Sequence, residues 1–206
     1  PFSSGAMEVW YWSMNREDLE RVENNPWVQY LEGNNPDYPT TALQRSFERL
    51  RTDMERMAAD TCSPDTRLSD DMNSINPAKT DTLIQLMLGG LPTGRVGSPL
   101  YCHVRYFDPA NQRAGIPEDV AALVEKISGE EVTLTLVNVN PIESRTVIVQ
   151  GGGYAEHEIT KVAVGDQVTE IGNSDFSIRL APGCGAQLQL TIKRFANQPS
   201  LAFPWR

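Results

Sequence analysis

The chain has 206 residues, 40% of them hydrophobic and 22% charged, which suits one large globular domain or two small ones. A net charge of −9 sets it against phosphate backbones, so nucleic acid is not an expected partner. No apolar run is long enough to span a bilayer as a helix, and no membrane partner is expected.

The start is read as the inside of a larger unit. Pro1 to Gly5 carries no signal peptide and leads at once into the aromatic stretch Ala6–Met14. The expectation is a processed or truncated piece of a longer protein. Residues 6–32 are predicted helical, with a break near Pro26 and with Asn15 capping a short acidic turn from Arg16 to Glu23. Gly33–Asp37 has the turn chemistry of a loop. A longer helix is predicted from Pro39 to Ala59. Leu43, Phe47, Leu50, Met54 and Met57 recur at spacings of four and three, one face of a helix. An amphipathic helix lying on a core is expected rather than a dimerising coiled coil, because the heptad seam is short.

Residues 60–77 are polar and are expected to form a long loop. Its Asp65, Asp70 and Asp71 could offer hard oxygens to Ca²⁺, though their spacing matches no EF-hand. A helix opening at Asn76 or Pro77 and stopped by Gly89 and Gly90 follows. The Gly/Pro-rich stretch 91–99 is the expected domain boundary. Beyond it the apolar period shifts towards two. Strands are predicted at Leu100–Phe107, Glu131–Asn138, Arg145–Gln150, His157–Val164, Gln167–Ile171, Phe176–Leu180 and Gln187–Phe195. Pro117–Ile127 reads as one helical insertion, with Glu118 and Asp119 in its first turn. Ala181–Gly185 is a turn between two strands.

The predicted fold class is therefore α+β. Residues 1–90 form a helical region, the end of a larger helical domain. Residues 91–206 form an antiparallel β-sandwich, jelly-roll or immunoglobulin-like, with one helical insertion near 117–127.

Candidate chemistry is sparse. The chain has two histidines, His103 and His157. With Glu156 and Glu158 they could supply ligands to a transition metal, as in a cupin, but the cupin H-x-H pair is missing. An exposed strand edge is the simpler expectation for His157. Gly151-Gly152-Gly153 lacks the Lys-Ser/Thr of a phosphate loop and reads as a bend between strands. Cys62, Cys102 and Cys184 form no C-x-x-C pair; one disulfide with a spare thiol is an open alternative, and three buried free thiols are the favoured expectation. Trp10, Tyr11, Trp12 and Trp27 could stack on the apolar faces of sugars, although core packing is the commoner use of such side chains. No catalytic residues can be assigned.

Val132–Pro141 followed by Arg145–Val149 resembles the strand–turn–strand of accessory β-sandwiches in carbohydrate-active enzymes. Leu180-Ala181-Pro182-Gly183 followed by Gln187–Leu190 resembles their closing hairpin. The Trp10–Trp12 segment is similar to the end of an (α/α) toroid, and the layout resembles C-terminal regions of large bacterial proteins. This resemblance implies a non-catalytic structural or accessory part of a larger carbohydrate-related protein, soluble and periplasmic or extracellular. Its partners would be the rest of the parent, other subunits, or carbohydrate. The alternatives are a β-sandwich binding module or assembly subunit, and a small metal-dependent enzyme using His103 and His157.

Overall fold

Val132, Leu134 and Leu136 are fully buried while the intervening Thr133 and Thr135 are only half so. A strand with one dry face must press it on another sheet, and the C-terminal half of the chain does this repeatedly. In the computed structural model, which describes residues 3–20, 22, 24–63, 77–92 and 99–205, nine strands follow in order. They are β1 (Val104–Asp108), β2 (Arg113–Ala114), β3 (Val120–Ile127), β4 (Glu131–Asn138), β5 (Arg145–Gly151), β6 (Glu158–Val164), β7 (Gln167–Asn173), β8 (Asp175–Leu180) and β9 (Gly185–Lys193). One sheet has the order β2-β1-β5-β8 and the other β3-β4-β9-β6-β7, and the paired strands are antiparallel. The expected α+β sandwich is the observed architecture.

The pairing decides between the two sandwich types. Strands β4 to β9 close as nested pairs: β6 with β7, β5 with β8 and β4 with β9. A chain folded back on itself in this way, with its strands dealt to two sheets, is the wrap of a jelly roll. Val104, Val124, Leu134, Val147, Ile159, Leu188 and Leu190 fill the space between the sheets at 1% exposure or less. Each such side chain contributes roughly 1.5–3 kcal/mol by leaving water. Asn138, buried at the end of β4, donates from its amide to the carbonyls of Glu143, Leu180 and Ala181, tying the two sheets at that end.

The helical insertion expected at 117–127 is strand β3. Its register with β4 slips between Val124 and Lys126, so Glu125 is an extra, bulged residue. The bulge puts apolar residues at 120, 124 and 127, the spacing of a helix face, on a strand. The short strand β2 also escaped the sequence reading, because two residues carry no period.

Ahead of the sandwich lie α1 (Ser3–Ser13), α2 (Arg16–Leu19), α3 (Pro26–Leu31), α4 (Tyr38–Ala58) and α5 (Asp81–Leu88). Asn15 caps α2 by accepting from the Glu17 N–H, and Asn25 caps α3 through the N–H groups of Trp27 and Val28. Helix α5 starts at Asp81, later than expected, and ends at Gly89, which is left-handed at φ 57°. Met7, Trp10, Tyr11, Val22, Trp27, Val28 and Leu31 form a second core. The two cores touch each other, with Ile127 packed against both. Helix α5 packs against the edge strand β3, and Met87 and Leu88 reach into the sandwich core. The His103 N–H donates to the Leu88 carbonyl, and the Leu91 N–H to that of Tyr101. Gly90 is required there, since a Cβ would lie 2.2 Å from the Tyr101 oxygen.

Helix α4 departs from expectation. Its one buried residue is Asp53, held by Lys79 at 2.9 Å and Arg56 at 3.4 Å, and this pairing keeps the carboxyl below its ordinary range. Tyr38 donates to Gln85 of α5. The apolar seam from Phe47 to Met57 is exposed instead of lying on a core. The face that docks carries Ala42, Ser46 and Asp53, small and charged residues, and the seam lies about a quarter-turn further round. The acidic loop residues Asp65, Asp70 and Asp71 lie outside the described residues.

Candidate functional site

Two neighbouring features sit where α1 meets the sandwich, one buried and one open. The buried one contains both histidines. Register between β1 and β5 sets Val104 opposite Gly151, which brings the Gly151–Gly153 bend beside residues 102 and 103. Side chains are excluded from that bend. A Cβ on Gly151 would lie 2.8 Å from the His157 oxygen, and one on Gly153 2.6 Å from that of Leu100. Gly152 is left-handed at φ 82°. Glu156 accepts from the N–H groups of Gly153 and Tyr154, closing the turn.

His103 and His157 rings stand 6.2 Å apart, and Tyr11 of α1 meets the His103 ring edge-on at 4.8 Å. His103 Nδ1 faces the Gly89 carbonyl at 3.1 Å and so carries the proton. His157 Nδ1 accepts from the Phe195 N–H, so its proton sits on Nε2. Burial pushes His103 down to about 3 and lowers His157 too, so both rest neutral. Burial raises Tyr11 and Cys102, with Glu156 adding to both. Such a thiol is inert as a nucleophile. The space among Tyr11, Cys102, His103, Glu156 and His157 is about 10 Å³, no more than one water needs. Neither Tyr11 Oη nor His103 Nε2 has a hydrogen-bond partner among the described residues.

The four residues considered as metal ligands do not form one centre. His103 and His157 come together, but both Glu156 oxygens are taken by backbone N–H groups. Glu158 starts β6 opposite Lys193, on the other side of the strand from its neighbour His157. Among the described residues, no three His, Cys, Asp or Glu side chains converge as a metal site would need. His157, expected at an exposed edge, is buried. Cys102 is buried as expected, whereas Cys62 and Cys184 are exposed.

The open feature begins at Trp12. Of the four aromatic residues considered for sugar stacking, Trp10, Tyr11 and Trp27 are buried and belong to the helical core, so their faces are not offered to a ligand. Trp10 and Trp27 pack edge to face at 6.1 Å. Trp12 keeps 47% of its surface exposed. It stacks on Phe195 at 5.4 Å and 24°, and meets Tyr101 edge-on. Arg194 fixes this arrangement by donating to the carbonyls of Tyr11 and Trp12 at the end of α1, where the helix dipole favours a cation. Its guanidinium also lies 5.0 Å from the Phe195 ring centre. Beside the aromatic pair lies an open cleft of about 470 Å³ with Glu130, Thr160, Thr191 and Lys193 on its walls. Phe195 was not among the sequence candidates. Only the fold shows that it meets a residue from the other end of the chain.

The fold and this surface define a helix-capped jelly roll with an aromatic platform at the junction. A family described as a domain of unknown function (DUF8034) matches residues 6–84, the helical part from α1 into α5, and stops short of the sandwich. No curated protein and no solved structure matched the chain. No helix among the described residues is long and apolar enough to cross a membrane.

Proposed function

We propose that this chain is a non-catalytic accessory part of a larger carbohydrate-related protein, and that it contacts sugar through Trp12 and Phe195. The carrying observation is the half-exposed Trp12, stacked on Phe195 at the mouth of a cleft walled by hydroxyl and charged side chains. An aromatic face suits the apolar C–H face of a pyranose, and polar neighbours suit its hydroxyls. The buried cluster supports a structural reading of the remainder, because its histidines rest neutral and its thiol is protonated and enclosed.

The test is a glycan array on the whole chain, followed by titration calorimetry with the best oligosaccharide for the native chain and for Trp12→Ala. The expected result is saturable binding that Trp12→Ala weakens at least about tenfold, the loss of one stacking contact of more than 1.4 kcal/mol. Absence of any glycan ligand, or undiminished binding by a folded Trp12→Ala, would end this reading.

A further inference from the structure

We propose that the groove between α4 and the start of α5 binds the phosphoryl group of a small molecule through Arg45 and Arg49. Helix α4 turns its apolar seam to solvent and a polar side to this groove. A polar side turned inward needs partners, and Asp53 has them in Lys79 and Arg56. Arg45 and Arg49 line the same groove but, among the described residues, make no hydrogen bond or ion pair. Their charges are felt inside it. Burial raises the Tyr38 phenol and Arg45 opposes that rise, while Arg49 adds to the lowering of Asp53 that Lys79 leads. The two arginines stand one turn apart, about 6 Å between Cβ atoms, and like charges at that spacing weaken a helix. A bound anion removes that repulsion.

The groove holds about 250 Å³, near the small end of ligand sites. Arg45, Arg49 and Lys79 face the carboxylates of Asp53 and Asp81 in its lining, so it is a positive spot on a chain of net charge −9. Guanidinium forks match oxyanions in both geometry and charge. A carboxylate brings two oxygens and one charge, a phosphoryl group three oxygens and about two charges. The second suits this lining better, because Ser46 on α4 and Thr82 on α5 add hydroxyl donors from both walls. Thr80, the N-cap of α5, makes no side-chain bond to its helix, so the positive helix end adds to the field there. Tyr38 and Leu50 give an apolar wall for the rest of the molecule. The matched family spans residues 6–84 and contains this lining whole, whereas the Trp12 platform takes Phe195 from outside it. The groove is thus independent of any sugar at Trp12.

The experiment is an amide-resolved NMR titration of the whole, isotope-labelled chain with phenyl phosphate, beside benzoate. Saturable shifts are expected around Ala42, Ser46 and Thr82, with a dissociation constant in the millimolar range or below and at least about tenfold weaker binding of benzoate. Arg45→Gln/Arg49→Gln should keep its circular dichroism, since both side chains are exposed, and weaken phenyl phosphate at least about tenfold. Should the double variant lose its fold, each single variant carries the same test. Arg51→Gln, on the same helix but off the groove, should bind as the native chain does. Shifts absent from the groove, undiminished binding by the folded double variant, an equal loss in Arg51→Gln, or benzoate bound as tightly would each overturn the proposal.

Discussion

The sandwich and the helical layer use apolar side chains in opposite ways. In β4 and β9 the large side chains are closed between two sheets, at 0–1% exposure for Leu134, Leu136, Leu188 and Leu190. In α4 they stand in solvent, and the residue turned inward is an aspartate. Apolar patterning alone therefore does not say where a face goes. In a sheet, backbone pairing fixes which face meets the other sheet, whereas a helix completes its own hydrogen bonds and can dock by any face that finds partners. Helix α4 docks through Asp53, Lys79 and the Tyr38–Gln85 bond, and its seam is left over.

Substitution can break this contrast directly. Leu134→Ala in the sandwich core is expected to cost about 3 kcal/mol in denaturant melts, because the cavity cannot collapse between two sheets. The junction between the regions should respond to acid. His103 has a folded pKa of about 3, below its ordinary 6.5. The unfolded chain therefore binds a proton that the folded chain refuses, and stability falls as pH drops from 6.5 towards 3. By pH 5 the loss is about 2 kcal/mol, and His103→Gln should flatten that slope between pH 6.5 and 5 whatever it does to stability at neutral pH.

Smaller effects sharpen the contrast. Gly152→Ala combines a left-handed backbone with a Cβ 2.3 Å from the Glu156 carboxyl carbon. It should lower stability by about 1–3 kcal/mol in thermal melts, less than Leu134→Ala because the Glu156 side chain can swing away. Met54→Gln, on the exposed seam, should change the unfolding free energy of the chain by no more than about 0.5 kcal/mol. A loss comparable to that of Leu134→Ala would mean that the seam is part of a folded core after all.

Much of the sandwich was legible because its strands have one dry face, so Val132-x-Leu134-x-Leu136 and Leu188-x-Leu190-x-Ile192 announce themselves. Strand β3 was not, since one bulged glutamate converts a period of two into something like a helix. The helices were legible from caps such as Asn15 and stops such as Gly89. The site was legible only in its ingredients. His103 and His157 were visible as the sole histidines, but their closeness depends on the β1–β5 register, which no local pattern encodes. Trp12 was one of four equal aromatic candidates. Its exposure, and its stack with Phe195, follow from how α1 lies against the end of β9.

The nested pairing of the strands also sets an order of events. Strand β4 lies beside β9, and β5 through β8 must be made before β9 exists. During synthesis, the β4 edge and the apolar faces meant for the closed sandwich stay open until nearly the whole domain has emerged. Contacts so distant in sequence make folding slow, so the vulnerable interval for this protein is its birth, when an unmated β4 can recruit a neighbouring chain.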